Sequence, residues 1–420
     1  MYHKDVLDNG VTIVCEEVPA VHSIAIGYWV KTGSRLEEED EAGISHLIEH
    51  LLFKGTKKRS AKEIAEAIEE VGGQLNAFTG KEYTCYYARV LAEHLPLAVD
   101  VLTDMLYNSL FREEDLVREK NVVLEEISMY EDTPDEIIHD YFAKTIWDGH
   151  PLGRPVIGNN ESLSRIDREK VLSYYQRHYC PSNLVVALAG NFQYQEALDL
   201  IGEALSSLQP GSIETKITAP QARSGLKSFY RDLEQVQICM GVPGLSLYDD
   251  RIYVLQVLNN ILGGGASSRL FQEIREERAL VYAIYSYYLA FLDSGLFTIY
   301  GGTSPSNCQQ VLDLCWEEIN RIIESGVTEK EFSRAKTQVK GSLLLAQESV
   351  LQRMHRLGRS ELIHQRFITI EEVLERIAEV SVADIQALAK ELFAPELVTV
   401  TVLGPLSEGQ IEHPCVLCRT

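Results

Sequence analysis

Apolar positions along the chain change period from stretch to stretch. Val11 to Cys15 and Ser23 to Val30 read as strands, with the turn signal Asp8-Asn9-Gly10 ahead of the first. Ile44 to Phe53 is a mostly apolar run without proline and predicts a helix. Ser60 with Glu63 three residues on forms a capping box, opening a helix that runs to Val71 and stops at Gly72-Gly73. Gln74 to Thr79 and Thr84 to Val90 alternate as strands around Gly80-Lys81-Glu82. From His94 the pattern is mainly helical, through a charged amphipathic stretch from Glu113 to Tyr130 and a segment from Ile166 to His178. It returns to strand at Leu184 to Ala189.

Residues 209–225 carry two prolines and two glycines with little apolar periodicity, which predicts a linker. Beyond it the pattern repeats. Ile24-Ala25-Ile26-Gly27 matches Ile238-Cys239-Met240-Gly241 at an offset of 214, and Pro181 and Gly190 match Pro395 and Gly404 at the same offset. Arg118-Glu119-Lys120 matches Arg334-Ala335-Lys336 at 216. Three anchors at nearly constant offset predict a duplicated domain, the alternative being a coincidence of strand–helix periodicity. The expected fold is α+β. Two homologous halves, residues 1–208 and 226–420 with 209–225 between them, would each form a mainly antiparallel sheet with helices on one face.

A chain of 420 residues has room for two such cores. Its net charge of −23 argues against nucleic acid as a partner, because phosphate would be repelled. No apolar run approaches the ~20 residues that span a bilayer. The start, Met1-Tyr2-His3-Lys4-Asp5-Val6, has the features of neither a signal nor a transit peptide, so a cytoplasmic location without membrane attachment is expected. The 8 cysteines show no framework spacing and read as reduced and buried. Cys415 and Cys418, preceded by His413, form one C-x-x-C in a tail expected to fray rather than to bind metal.

The candidate chemistry lies in His46-Leu47-Ile48-Glu49-His50. Residues four apart share a helix face, so His46 and His50 can aim two imidazoles at one point with Glu49 beside them. Two neutral imidazoles suit Zn²⁺, and the order H-x-x-E-H marks the inverted zincins. A histidine on an apolar helix face is commonly a satisfied core residue, so a third ligand is needed. The charged stretch Glu113 to Tyr130 offers Glu126, with Glu119 two helical turns before it on the same face. One carboxylate that coordinates and another that orients a ligand is a pairing that metal sites use, although a solvated acidic face is the alternative.

The run from Gly43 through His46, Glu49 and His50 to Thr56 resembles the signature of the pitrilysin-family zinc metallopeptidases, of the short-chain type related to mitochondrial processing peptidase. The resemblance extends over essentially the whole chain. It implies a clamshell of two halves with one Zn²⁺ per chain, held by His46, His50 and Glu126, with Glu49 as general base and Glu119 as supporting carboxylate. Glu126 follows His50 at the family's spacing. The resemblance also implies that the strand carrying Asn76, Ala77 and Phe78 is an edge that pairs with extended substrate, an ordinary sheet strand being the alternative. Arg275 and Tyr282 match an Arg and a Tyr, seven apart, that in the family reach the zinc site. Their alternative is a surface salt bridge and a half-buried ring. The function implied is zinc-dependent endopeptidase acting on unfolded peptides, as a homodimer. Non-catalytic relatives in the respiratory bc1 complex and subunits that need a second, different chain are the rival readings. At offset 214, His46, Glu49 and His50 fall on Asn260, Gly263 and Gly264, and at 216 Glu119 and Glu126 fall on Ala335 and Ser342, so the second half is expected to hold no metal. The run Gly263-Gly264-Gly265 lacks a following G-K-[ST] and reads as a hinge or a point of close backbone approach, not a nucleotide loop.

Overall fold

The structure, a computed structural model, describes residues 1–211 and 217–415. Up to residue 211 the elements are β1 (Tyr2–Val6), β2 (Thr12–Glu17), β3 (Ser23–Val30), α1 (Ile44–Leu52), α2 (Ala61–Glu69), β4 (Gln74–Thr79), β5 (Thr84–Leu91), α3 (Leu95–Asn108), α4 (Glu113–Glu131), α5 (Pro134–Ile146), α6 (Asn160–Arg165), α7 (Arg168–His178), β6 (Leu184–Gly190) and α8 (Tyr194–Leu205). After residue 217 come β7 (Gly225–Tyr230), β8 (Val236–Pro243), α9 (Ile252–Leu262), β9 (Val281–Ala290), β10 (Gly295–Thr303), α10 (Cys308–Ser325), α11 (Glu329–Ala346), α12 (Val350–His364), α13 (Ile370–Glu379), α14 (Val382–Leu392) and β11 (Thr399–Gly404). The expected strands and helices form close to their expected bounds. The Ser60/Glu63 box closes with both bonds, Glu63 N–H to Ser60 Oγ at 3.3 Å and Ser60 N–H to Glu63 Oε2 at 2.7 Å.

Two sheets follow one plan. The first has the order β1-β2-β6-β3-β5-β4 and the second β7-β11-β8-β10-β9. In each, one pair is parallel, β2 with β6 and β7 with β11, and every other pair is antiparallel. The duplication is therefore visible as topology. One anchor shifts in register. Gly190 faces Ile24, whereas Leu403 faces Gln237, so Gly404 comes level with Val236. Ile24 thus corresponds to Val236, two residues before the Ile238 that the sequence match selected. A slip of two keeps every side chain on its face, so the apolar pattern cannot reveal it.

Most helices cover one face of their sheet. Ile24, Ile26, Tyr28 and Val30 of β3 point into a core shared with α1, α2, α3, α7 and α8. The opposite face is also covered. Ala25 and Trp29 of β3 and Val185, Ala187 and Ala189 of β6 pack against Val350, Met354 and Leu357 of α12. Trp29 Nε1–H donates to Met354 Sδ at 3.4 Å. The second sheet receives α5 in the same way, through Ile138, Phe142 and Ile146 against Cys239, Leu296, Tyr300 and Leu403. Strands buried on both faces need continuous apolar sequence rather than alternation, which Leu184–Gly190 supplies.

Packing accordingly groups the chain into two units that exchange segments. One comprises Met1–Ser128, Arg154–Ile217 and Leu345–Phe367, and the other Met129–Gly153, Thr218–Leu344 and Ile368–Thr420. The main change of unit, at Ile217/Thr218, falls within the expected linker, of which residues 212–216 lie outside the described residues. Among the described residues no helix is long and apolar enough to cross a membrane. Among the described residues seven cysteines are free thiols, all but Cys180 buried. Cys415 packs into the second core instead of fraying, and Cys418 lies outside the described residues.

Candidate metal centre

Helix α1 is short, and its start is fixed by more than its own sequence. Gly43 at its N-cap has φ +93°, and a Cβ there would lie 2.8 Å from the carbonyl oxygen of Ile157. The buried Glu37 carboxylate accepts the N–H of Gly43 at 2.8 Å and of Ser45 at 2.9 Å, two of the groups that a helix start leaves unpaired. Arg154 donates to the Glu37 carbonyl oxygen at 2.9 Å and sets a positive charge beside the carboxylate. Burial still pushes the Glu37 carboxyl above its usual range, against the pull of those N–H bonds. Ser45 Oγ and Thr32 Oγ1 each share a hydrogen bond with the Tyr174 hydroxyl, tying α1 to α7.

On this helix His46 and His50 face α4, and Glu49 faces the end of β4. Each of His46, His50 and Glu126 offers one ligand atom within 4.8 Å of the others, and no second group of this kind occurs among the described residues. Glu126 places one oxygen 3.8 Å from His46 Nε2 and the other 3.8 Å from His50 Nε2. Those separations are too long for hydrogen bonds. They lie near the roughly 3.4 Å between neighbouring ligands of a tetrahedral Zn²⁺ with bonds of about 2.1 Å. Burial, with His50 beside it, pulls the His46 ring down to about 4, so it is neutral at pH 7, the form a metal requires. The donor set, two imidazoles and one carboxylate, fits Zn²⁺ with a position left open.

Glu119 is buried beneath this group and bridges two partners. One oxygen lies 3.2 Å from His50 Nδ1 and the other 2.9 Å from Lys54 Nζ. With Nδ1 beside Glu119, His50 has its Nε2 on the Glu126 side. Glu49 is not in the ligand group. Its Oε2 accepts the Thr79 hydroxyl at 2.5 Å, and burial raises its carboxyl above the usual range while Thr79 and His50 draw it back. The sequence reading did not find Glu37, Lys54 or Thr79. Lys54 lies within the signature run from Gly43 to Thr56 and Thr79 ends the edge-strand candidate, but neither position was tied to its partner.

Among the described residues strand β4 is an edge, bonded only to β5. Along it Ala77 leans on the helical core, Phe78 packs against Trp29 and Tyr83 on the other face, and the Asn76 side chain accepts the N–H of Ala77 at 2.8 Å. In the second unit Arg275 and Tyr282 do come together. The Arg275 guanidinium lies 4.5 Å from the Phe271 ring centre and 5.9 Å from that of Tyr282. Tyr282, on the edge strand β9, is 82% exposed, and among the described residues Arg275 forms no ion pair. Arg275 sits in a π-helical turn, Phe271–Glu276, which the sequence reading missed. The glycine run before it shows close approach: a Cβ on Gly263 would lie 2.4 Å from the Ser286 nitrogen.

A helix-borne imidazole pair, a carboxylate from a second helix and an unligated carboxylate alongside make the arrangement of a metallopeptidase centre. Residues 12–160 match the family model described as insulinase (peptidase family M16), and residues 165–339 the one described as peptidase M16 inactive domain. A Bacillus subtilis protein named uncharacterized zinc protease YmxG is 42% identical over 396 residues, spanning 94% of this chain and 97% of the relative. The uncharacterized zinc protease SCO5738 of Streptomyces coelicolor is 42% identical, over 97% of this chain and 90% of its own. This chain belongs to peptidase family M16. Its fold is shared with a solved protease from Helicobacter pylori (TM-score 0.90, 21% identity, 96% of this chain and 99% of that one) and with a chain of complex III2 from Candida albicans (TM-score 0.85, 21% identity, 98% and 97%).

Proposed function

We propose that the protein is a zinc-dependent endopeptidase that cleaves unfolded peptides. The observation that carries this reading is the convergence of His46, His50 and Glu126 with Glu49 poised beside them and outside the ligand set. When bound, Zn²⁺ supplies Lewis acidity, drawing charge from a peptide carbonyl and making an attacking water more acidic. The chain's own groups do the rest. Glu49, with Oε2 held by Thr79, takes a proton on Oε1 from the attacking water and passes it to the departing amide nitrogen. Glu119 and Lys54 hold His50 in orientation. The free edge of β4 at Asn76, Ala77 and Phe78 pairs with the extended backbone of the substrate, which favours unfolded chains over any one sequence.

From the family resemblance come the remaining parts: Arg275 and Tyr282 as donors to the developing oxyanion, enclosure of substrate between the two halves, one zinc per chain, a homodimer and a cytoplasmic location. The likeness to a complex III2 chain supports a rival reading, a non-catalytic structural protein, but a complete ligand-and-base set favours the enzyme. One sequence offered as a short peptide, as an unfolded chain and as a stably folded domain tests the substrate class. The first two are expected to be cut and the third to resist. Equal cleavage of the folded domain would contradict enclosure.

A further inference from the structure

The hydroxyl that holds Glu49 comes from an unusual place. Thr79 is the last residue of β4, and its Oγ1–H donates to Glu49 Oε2. The strand end behind it is anchored. Thr79 pairs with Thr84, Gly80 N–H donates to the Tyr83 carbonyl at 2.8 Å, and Ser34 and Arg35 donate backbone N–H to the Gly80 and Lys81 carbonyls at 3.2 and 2.8 Å. A buried Arg35–Glu82 pair at 2.5 Å closes the same turn. Glu49 has a broad terminal torsion of its own, and among the described residues no other group bonds its carboxylate. One oxygen is thereby fixed and the other left free.

We propose that Thr79 is a positioning residue for the general base, joining the strand edge that receives substrate to the carboxylate that moves the proton. The proposal rests on the peptidase reading above. It implies that Thr79 matters to the proton-transfer step and not to metal or substrate affinity, since its hydroxyl bonds Glu49 and none of the three candidate ligands His46, His50 and Glu126.

The test compares Thr79→Val, which keeps shape and strand preference but loses the donor, with Thr79→Ser, which keeps the donor. Steady-state cleavage of an unfolded peptide gives kcat and KM, and chelator competition gives zinc affinity. Thr79→Val is expected to lower kcat by about 10- to 100-fold, the scale of a lost bond to a charged group, with KM and zinc affinity within about 2-fold. Thr79→Ser should recover kcat to within about 3-fold. Wild-type kcat in Thr79→Val, a fall matched by loss of zinc, a rise in KM alone, or a Ser variant as impaired as Val would each overturn the proposal. A zinc-loaded wild-type chain without activity overturns the peptidase reading and this inference with it. An active wild type with unchanged Thr79→Val overturns this inference alone.

Discussion

Glu119 and Glu126 stand two turns apart on α4 and differ in what they touch. Glu126 spans the two Nε2 atoms, while Glu119 reaches only the far nitrogen of His50 and Lys54. Glu126→Gln should therefore strip most of the zinc, measured as metal content after dialysis. Glu119→Gln should keep zinc bound at saturating metal yet lower kcat by about 10- to 100-fold. The opposite ranking would exchange their roles. That both residues face the same way was legible in sequence because the helical repeat places them on one face, and the H-x-x-E-H spacing did the same for His46, Glu49 and His50, whereas which of the two would coordinate came from the family resemblance. Glu37, Lys54 and Thr79 were not legible as a set. Lys54 meets Glu119 and Thr79 meets Glu49, partners on other elements brought close only by packing, which no local period encodes.

At the level of elements, α1 depends on a clamp outside itself. Glu37→Ala leaves the N–H groups of Gly43 and Ser45 buried without acceptors and Arg154 without a neighbouring negative charge. A loss of about 2–4 kcal/mol in the stability of the zinc-free protein is expected by urea unfolding, together with weaker zinc binding because His46 directly follows the clamped Ser45. As a control, Glu66→Ala, which breaks the exposed Lys62–Glu66 pair on α2, should cost under about 0.5 kcal/mol. Equal effects would mean that the Glu37 bonds contribute nothing particular. The strands and helices themselves were readable because capping residues and apolar period agree with the final fold. The cover on the second face of each sheet was not. The all-apolar Leu184–Gly190 signalled burial on both sides, but nothing in it says that the covering helix would be α12, which comes only after the whole second sheet but its last strand. In both units the borrowed helix seats a histidine among aromatic rings. His139 meets Tyr285, Tyr287 and Tyr300, and His355 meets Trp29, Phe78 and Tyr87. His139 and His355 are separated by the same offset as Arg118 and Arg334, a further trace of the duplication.

Across the whole molecule, duplication kept the sheet plan and divided the chemistry. The first unit holds the candidate metal group His46, His50 and Glu126 with Glu49 beside it, whereas among the described residues the second unit has no comparable group and instead exposes Tyr282 next to Arg275. The sequence match found the repeat from three short anchors, and one was two residues out of register, because strand period hides such a slip. The central claim is that a single gene product binds zinc at His46, His50 and Glu126 and uses Glu49 to cleave peptide bonds. The most direct test measures zinc content and hydrolysis of an unfolded peptide by the purified chain and by Glu49→Gln side by side. The expected result is stoichiometric zinc in both, turnover in the wild type that a chelator abolishes and zinc restores, and a fall of about 10²- to 10⁴-fold in the variant, the usual contribution of a general base. Loss of zinc in Glu49→Gln, or full activity without Glu49, would contradict the account.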